Sequence, residues 1–90
     1  MTKTELIAEV SNRLGVSKRM AGDMVNTFVD TVIDGVKKDG EVRIQGFGTF
    51  KVSRRNAREG RNPRTGEKIK IDAMNLPAFK AGAEFKKAVR

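Results

Sequence analysis

The fold of this chain is decided by residues 53–76, which read SRRNAREGRNPRTGEKIKIDAMNL. Residues 62–66, Asn-Pro-Arg-Thr-Gly, have strong turn chemistry, because Asn starts turns, Pro fixes φ and Gly accepts a positive φ. Before them, Ser53–Arg58 is polar and rich in Arg, and after them Ile69 and Ile71 alternate with charged residues. Two strands that flank one turn, with few residues for a core, predict a β-ribbon arm that projects from the body. Each leg of about ten residues reaches ~30 Å.

The arm carries most of the excess charge. Eight basic and two acidic residues lie between Lys51 and Lys70, whereas the whole chain of 90 residues has a net charge of +8. A concentrated positive stretch on a nearly neutral body indicates a polyanion as the partner. The alternative is a solvated surface, but such surfaces usually mix both signs.

The residue types of the arm favour duplex DNA over other polyanions. Planar Arg side chains suit phosphate groups, and such contacts hold DNA while reading little sequence. All five Phe fall at predicted core positions outside the arm, which therefore lacks a stacking platform for single-stranded nucleic acid. We predict binding to double-stranded DNA with little sequence preference.

Two helices are predicted before the sheet. Thr2 and Glu5 form a capping box, and apolar residues follow at helical spacing, so the first helix covers about residues 3–14. Ser17 can cap a second helix that ends near Lys38.

The second helix is apolar over an unusually wide face. Its apolar residues fill an arc of about 180°, against ~100° for an ordinary surface helix. Helix one and the sheet can cover part of this arc, and a second copy of the chain is the simplest cover for the rest. The predicted dimer core consists of Val25, Phe28, Val29, Val32, Ile44, Phe47, Phe50 and Phe79.

After Gly40 the apolar period changes from 3.6 to 2, which predicts strands around residues 42–44 and 50–52. A short C-terminal helix follows over about Gly82 to Val89. The predicted fold class is α+β: two N-terminal helices, a three-stranded antiparallel sheet extended into the arm, and a short C-terminal helix. We predict a single domain over residues 1–90, with a helical dimerisation part over 1–40 and the sheet, arm and last helix over 41–90.

The sequence lacks the residues and motifs that most often support catalysis or cofactor binding. The chain has no His and no Cys, and it contains no Walker loop, zinc spacing or EF-hand. We therefore predict no enzyme activity, no metal, no cofactor and no small-molecule substrate. An enzyme with an unfamiliar Ser or Lys nucleophile is an alternative that no motif supports.

Two further alternatives concern binding. A sequence-specific helix-turn-helix regulator would turn at residues 14–17, but the exposed face of its second helix is acidic where a recognition helix needs Arg, Asn or Gln. A protein that binds anionic membrane surfaces would need a basic amphipathic helix, which is missing. No long apolar stretch predicts a signal peptide or a membrane span, so we expect a cytoplasmic protein.

Three motifs together resemble the bacterial HU and integration host factor family. They are residues 46–50 (Gly-Phe-Gly-Thr-Phe), residues 60–66 (Gly-Arg-Asn-Pro-Arg-Thr-Gly) preceded by Arg55 and Arg58, and residues 77–82 (Pro-Ala-Phe-Lys-Ala-Gly). The similarity runs end to end without gaps and is nearer to HU at residues 77–80. It implies a histone-like, nucleoid-associated protein: an intertwined homodimer whose paired arms enter the minor groove and bend, wrap and compact DNA. HU and the host factor are standard examples of minor-groove binders, and the groove assignment is taken from them.

The resemblance also implies roles for individual residues. Pro63 resembles a wedge that inserts between base pairs, although its turn chemistry alone gives it only a turn role, and both can hold. The implied DNA contacts are Lys3, Arg54, Arg55, Arg58, Arg61, Asn62, Pro63, Arg64, Lys68, Lys70, Lys80 and Lys86. The chain departs from the family at Ala83 and Glu84, where HU proteins often carry a Lys, and at Asn75, where a basic residue is common.

Overall fold

The computed structural model describes all 90 residues, which form three helices and five strands. In chain order these are α1 (Lys3–Leu14), α2 (Lys18–Asp39), β1 (Glu41–Ile44), β2 (Gly48–Arg55), β3 (Arg58–Arg61), β4 (Lys68–Ile71), β5 (Met74–Ala81) and α3 (Ala83–Ala88). The predicted α+β class and the order of its elements are confirmed. The chain divides into two compact units, Met1–Gly35 and Val36–Arg90.

Side-chain and backbone caps fix both ends of α1. The Thr2 hydroxyl accepts a hydrogen bond from the Glu5 N–H at 3.3 Å, as the capping box predicts. Gly15 ends the helix in the left-handed conformation at φ 65°, and its N–H donates to the Ser11 carbonyl. The Ser11 hydroxyl in turn donates to the Val16 carbonyl at 2.6 Å. This bond ties the chain after the turn back onto α1.

The second helix begins and ends within one residue of its predicted bounds. The Ser17 hydroxyl accepts a hydrogen bond from the Met20 N–H at 3.1 Å and so satisfies one free donor of the first turn. Lys37 and Lys38 lie in the last turn, where positive charge complements the helix dipole. Gly40, at φ 83°, then turns the chain into β1.

A three-stranded antiparallel sheet with the order β1-β2-β5 follows α2. Its register aligns Val42 with Phe50 and Phe50 with Phe79, so apolar side chains share one face. Phe47 and Phe85 join this face, and the ring centroids in the cluster lie 4.8–6.3 Å apart. Such spacing is typical of favourable aromatic packing, which anchors α3 to the sheet.

The first residue of β2 has no room for a side chain. A Cβ on Gly48 would lie 2.5 Å from Cζ of Phe79 and 2.6 Å from the carbonyl oxygen of Lys80. These distances are far below van der Waals contact. Glycine at this position therefore allows β2 to approach β5 closely enough for the aromatic cluster to form.

The arm is a separate two-stranded sheet of β3 and β4, paired from Arg58↔Ile71 to Arg61↔Lys68. Both legs are interrupted at the same level, at residues 56–57 and 72–73. The periodicity predicts two legs but not this interruption. Its physical reason is composition, since Asn-Ala faces Asp-Ala there and all three residue types are depleted in strands.

A single copy of the chain buries very few side chains. Ala21 is fully buried, but no large side chain is. Of the predicted dimer core, Val25, Val32, Ile44 and Phe50 are half-buried, whereas Phe28, Val29, Phe47 and Phe79 are exposed, Phe28 by 52%. The wide apolar arc of α2 is thus largely open to solvent in one copy.

We predict opposite effects of two Gly→Ala substitutions on the free energy of unfolding. Gly48→Ala should destabilise by at least about 1–3 kcal/mol, because the new methyl group meets backbone that cannot move away. Gly22→Ala, in α2, should stabilise by roughly 0.5–1 kcal/mol, since its Cβ meets only Ile7 at 3.9 Å. Urea unfolding at one fixed protein concentration measures both, and equal stability of the two variants would contradict these packing arguments.

Candidate nucleic-acid interface

The arm has two unlike faces. Residues directly opposite each other in an antiparallel pair point to the same side of the ribbon. One face, the apolar face, carries Arg58, Gly60, Ile69 and Ile71. The other, the charged face, carries Glu59, Arg61, Lys68 and Lys70.

Two isoleucines cover a glycine on the apolar face. A Cβ on Gly60 would lie 3.0 Å from Cδ1 of Ile71 and 3.6 Å from Cγ1 of Ile69. The missing side chain lets both isoleucines lean across the ribbon, and Ile69 remains 45% exposed. The arm therefore offers an apolar ridge on one side, and basic side chains on the other side.

The tip of the arm is held by short-range hydrogen bonds. The Asn62 side-chain oxygen accepts from the Arg64 N–H at 2.9 Å, and the Asn62 carbonyl accepts from the Gly66 N–H at 2.8 Å. Gly66 adopts φ 72°, and the Asn62 N–H donates to the Glu67 carbonyl at 2.8 Å. These bonds close the turn, in which Pro63 is the first of three turn residues. The predicted turn role of Pro63 is confirmed.

At the base of the arm, two neighbouring arginines point to opposite sides. The Arg54 guanidinium donates to the Asn75 side-chain oxygen, its cross-strand neighbour, at 3.3 Å. Arg55 lies opposite Met74 on the other face, because side chains alternate along a strand. Asn75, where the resembled family often has a basic residue, thus forms a hydrogen bond with Arg54.

The basic side chains of the arm have no carboxylate partners. The ion pairs of the chain are Arg13–Glu9 at 3.0 Å and Arg43–Glu41 at 3.8 Å, and neither includes an arm residue. All predicted basic contacts in the arm are exposed. Unpaired, exposed cations keep their full capacity to bind anions, so the charge of the arm is available to a ligand.

The predicted contacts on the body lie in separate places. Lys80 lies on β5 and Lys86 on α3, and both line one groove on the outer face of the sheet. Lys3 begins α1, in the other compact unit. Arg43 and Thr49, which no sequence motif marks, line the same groove as Lys80, together with Lys51 from the basic stretch. Only the pairing of neighbouring strands places them beside Lys80, and the periodicity of a single strand does not predict that pairing.

Two other kinds of site are absent from the chain. No group of three or more His, Cys, Asp or Glu side chains is placed to hold a metal ion. None of the helices combines the length and hydropathy that a membrane span requires.

Comparison with known proteins identifies the family. The model of the family described as bacterial DNA-binding protein matches residues 1–90. DNA-binding protein HU-1 of Halalkalibacterium halodurans is 49% identical over 90 residues, which cover 100% of both chains. DNA-binding protein HRm of Rhizobium meliloti is 45% identical over 89 residues, or 99% of each chain.

Solved structures agree with the sequence comparison. An Anabaena HU–DNA cocrystal structure superposes with a TM-score of 0.91 at 40% identity, covering 99% of this chain and 97% of that one. An HU mutant from Thermotoga maritima superposes with a TM-score of 0.72 at 27% identity, covering 100% of both chains. The similarity in fold and sequence over the full length supports one conclusion: this chain belongs to the HU family of bacterial DNA-binding proteins.

Proposed function

We propose that this protein is an architectural, non-enzymatic DNA-binding protein that bends, wraps and compacts duplex DNA with little sequence preference. The observation that carries the proposal is the projecting arm, whose cations are exposed and unpaired. Family membership and the resemblance to an HU structure with DNA support it. The proposed setting is the nucleoid in the bacterial cytoplasm, without metal or cofactor.

We propose an intertwined homodimer as the active form. A chain of this size with no fully buried large side chain has too little core to be stable by itself. The exposed apolar residues of α2, such as Phe28, Val29 and Ile33, are the natural contact for a second copy. In this form residues 1–40 mainly build the dimer, and each subunit presents one arm.

A substitution on the exposed apolar face of α2 tests whether the protein is a dimer. Phe28→Glu should abolish the dimer in sedimentation at micromolar concentration, because it places a charge in the apolar contact. Asn26→Glu adds the same charge on the exposed polar side of the same helix and should leave the dimer intact. A monomeric unsubstituted protein that is nevertheless folded would refute the proposal.

We propose that the two arms lie in the minor groove. The groove assignment follows the family, since the width of a two-stranded ribbon alone would suit the major groove. In this placement the arm contacts are Arg55, Arg58, Arg61, Asn62, Pro63, Arg64, Lys68 and Lys70, with Arg54 at the base and Lys3, Lys80 and Lys86 on the body. Phosphate contacts of this kind supply affinity and little sequence information.

Removing two arm cations tests the role of the arm. Arg58→Gln with Arg61→Gln should weaken binding to a random duplex of about 30 base pairs and lower the magnitude of the slope of log K against log salt by about 0.9 for each phosphate that is no longer neutralised. Lys37→Gln with Lys38→Gln, at the end of α2, removes the same charge away from the arm. Fluorescence anisotropy over a range of salt concentrations gives both slopes, and equal slopes for the two variants would argue against the arm.

The wedge at the tip is tested by its effect on DNA shape. Pro63→Ala should bind duplex with nearly unchanged affinity and bend it less, because the phosphate contacts remain while the inserted ring is removed. Pro77→Ala replaces the other proline of the chain, which pairs with Val52 in the body, and should bend DNA as the unsubstituted protein does. Energy transfer between dyes on the two DNA ends reports the bend. Equal transfer for both variants would leave Pro63 with its turn role alone.

A further inference from the structure

The base of the arm carries a methionine directly opposite an arginine. Met74 begins β5, and its cross-strand neighbour is Arg55, the last residue of β2. Directly opposite side chains share one face of an antiparallel pair, with Cβ atoms about 4.5–5.5 Å apart. The long Arg55 side chain can therefore reach the Met74 sulfur, and 49% of Met74 is exposed to solvent.

Met74 lines a groove at the level where both legs of the arm are interrupted. We call it the arm-base groove. Its apolar lining comes from Ala57, Ile71, Met74 and Leu76, and its cations are Arg55 and Arg58. Asp72 lines it as well, but neither arginine forms an ion pair. The guanidinium groups thus have free donors beside an apolar surface.

The four methionines of the chain differ in their surroundings. Because the chain has no Cys, their thioethers are its only sulfur atoms. Met24 lies one turn before Phe28 on the face of α2 that we propose contacts a second copy, and Met20 lies one turn earlier still. Met1 precedes α1. Met74 is the methionine of the arm, so a chemical change there occurs beside the proposed DNA contacts of the arm.

We propose that Met74 is an oxidation site through which hydrogen peroxide lowers the affinity of the arm for DNA. A lone pair of the sulfur attacks one peroxide oxygen, and the O–O bond breaks. That oxygen stays on the sulfur as a sulfoxide, and the other leaves as water. The sulfur loses two electrons and the peroxide gains them. The inference rests on the proposed function and deepens it, because it adds regulation of the arm by oxidation.

Oxidation reverses the hydrogen-bonding character of this side chain. A thioether is apolar and accepts hydrogen bonds weakly, whereas a sulfoxide is polar and carries an acceptor oxygen. The Arg55 guanidinium, directly opposite, donates to that oxygen and is then held against the ribbon. A phosphate must displace this hydrogen bond before it can bind Arg55.

The size of the effect follows from the strength of the competing bond. Hydrogen bonds to charged groups are worth a factor of roughly ten or more in an equilibrium constant. Oxidation of Met74 should therefore weaken duplex binding by about tenfold for each arm engaged.

The test measures binding of the full-length protein to a random duplex of about 30 base pairs before and after treatment with hydrogen peroxide. Mass spectrometry counts the sulfoxides at each methionine. Met20→Leu with Met24→Leu keeps the sulfur at position 74 and should lose affinity on oxidation as the unsubstituted protein does. Met74→Leu is the matched control, which should bind normally and keep its affinity after the same treatment. Methionine sulfoxide reductase with a dithiol should restore the affinity of the oxidised protein.

A second pair of variants isolates the role of Arg55. Arg55→Leu should bind more weakly from the start, and oxidation of Met74 should then add little, because the donor to the sulfoxide is gone. Lys70→Gln removes one cation from the charged face of the arm, leaves Arg55 in place and should keep the full sensitivity to peroxide.

The outcomes distinguish this site from general damage by peroxide. A loss of affinity in Met74→Leu as large as in the unsubstituted protein would overturn the proposal, as would full oxidation of Met74 with unchanged affinity. An equal loss in Arg55→Leu and Lys70→Gln would also overturn it, because Arg55 would then have no part in the effect. Loss of the helical circular dichroism signal on oxidation would do the same, since unfolding would be the cause. Absence of salt-dependent duplex binding before oxidation would overturn the proposed function, and this inference with it.

Discussion

The antiparallel ladder between β2 and β5 is the interaction on which the rest of the structure depends. It runs for eight residue pairs, from Gly48↔Ala81 to Arg55↔Met74, and brings together segments that are distant in the chain. At one end it packs Phe50 against Phe79, with ring centroids 4.8 Å apart. At the other end it directs both legs of the arm away from the body. The same hydrogen-bonded pairing thus brings the aromatic cluster together and leads into both legs of the arm.

Two groups of side chains have no partner within one copy of the chain. Each group indicates a different kind of binding partner. Apolar side chains on α2 remain exposed because one copy has no element left to cover them. Basic side chains on the arm remain unpaired because acidic residues are scarce there. The first condition favours self-association and the second favours a polyanion.

Local features of the fold were predictable from sequence, and non-local ones were not. The Thr2 cap, the span of the first helix and the turn at residues 62–66 all form as predicted, because each depends on atoms in residues that are close along the chain. Which residues face each other across the arm, such as Gly60 and Ile69, depends on how its two legs pair. Strand periodicity describes one strand at a time and so does not contain that information.

By itself, the sequence determined the secondary-structure elements, the position of the arm along the chain and the charge of the arm. Helix caps, periodicity, turn chemistry and composition are all properties of short segments. Only the tertiary structure decided which residues become neighbours. It set Arg54 opposite Asn75, placed Gly60 beneath two isoleucines, and aligned Arg43, Thr49 and Lys80 across three strands. The physical reason is register: shifting a strand by one residue moves every side chain to the other face, and each register is set by its two-stranded ladder as a whole.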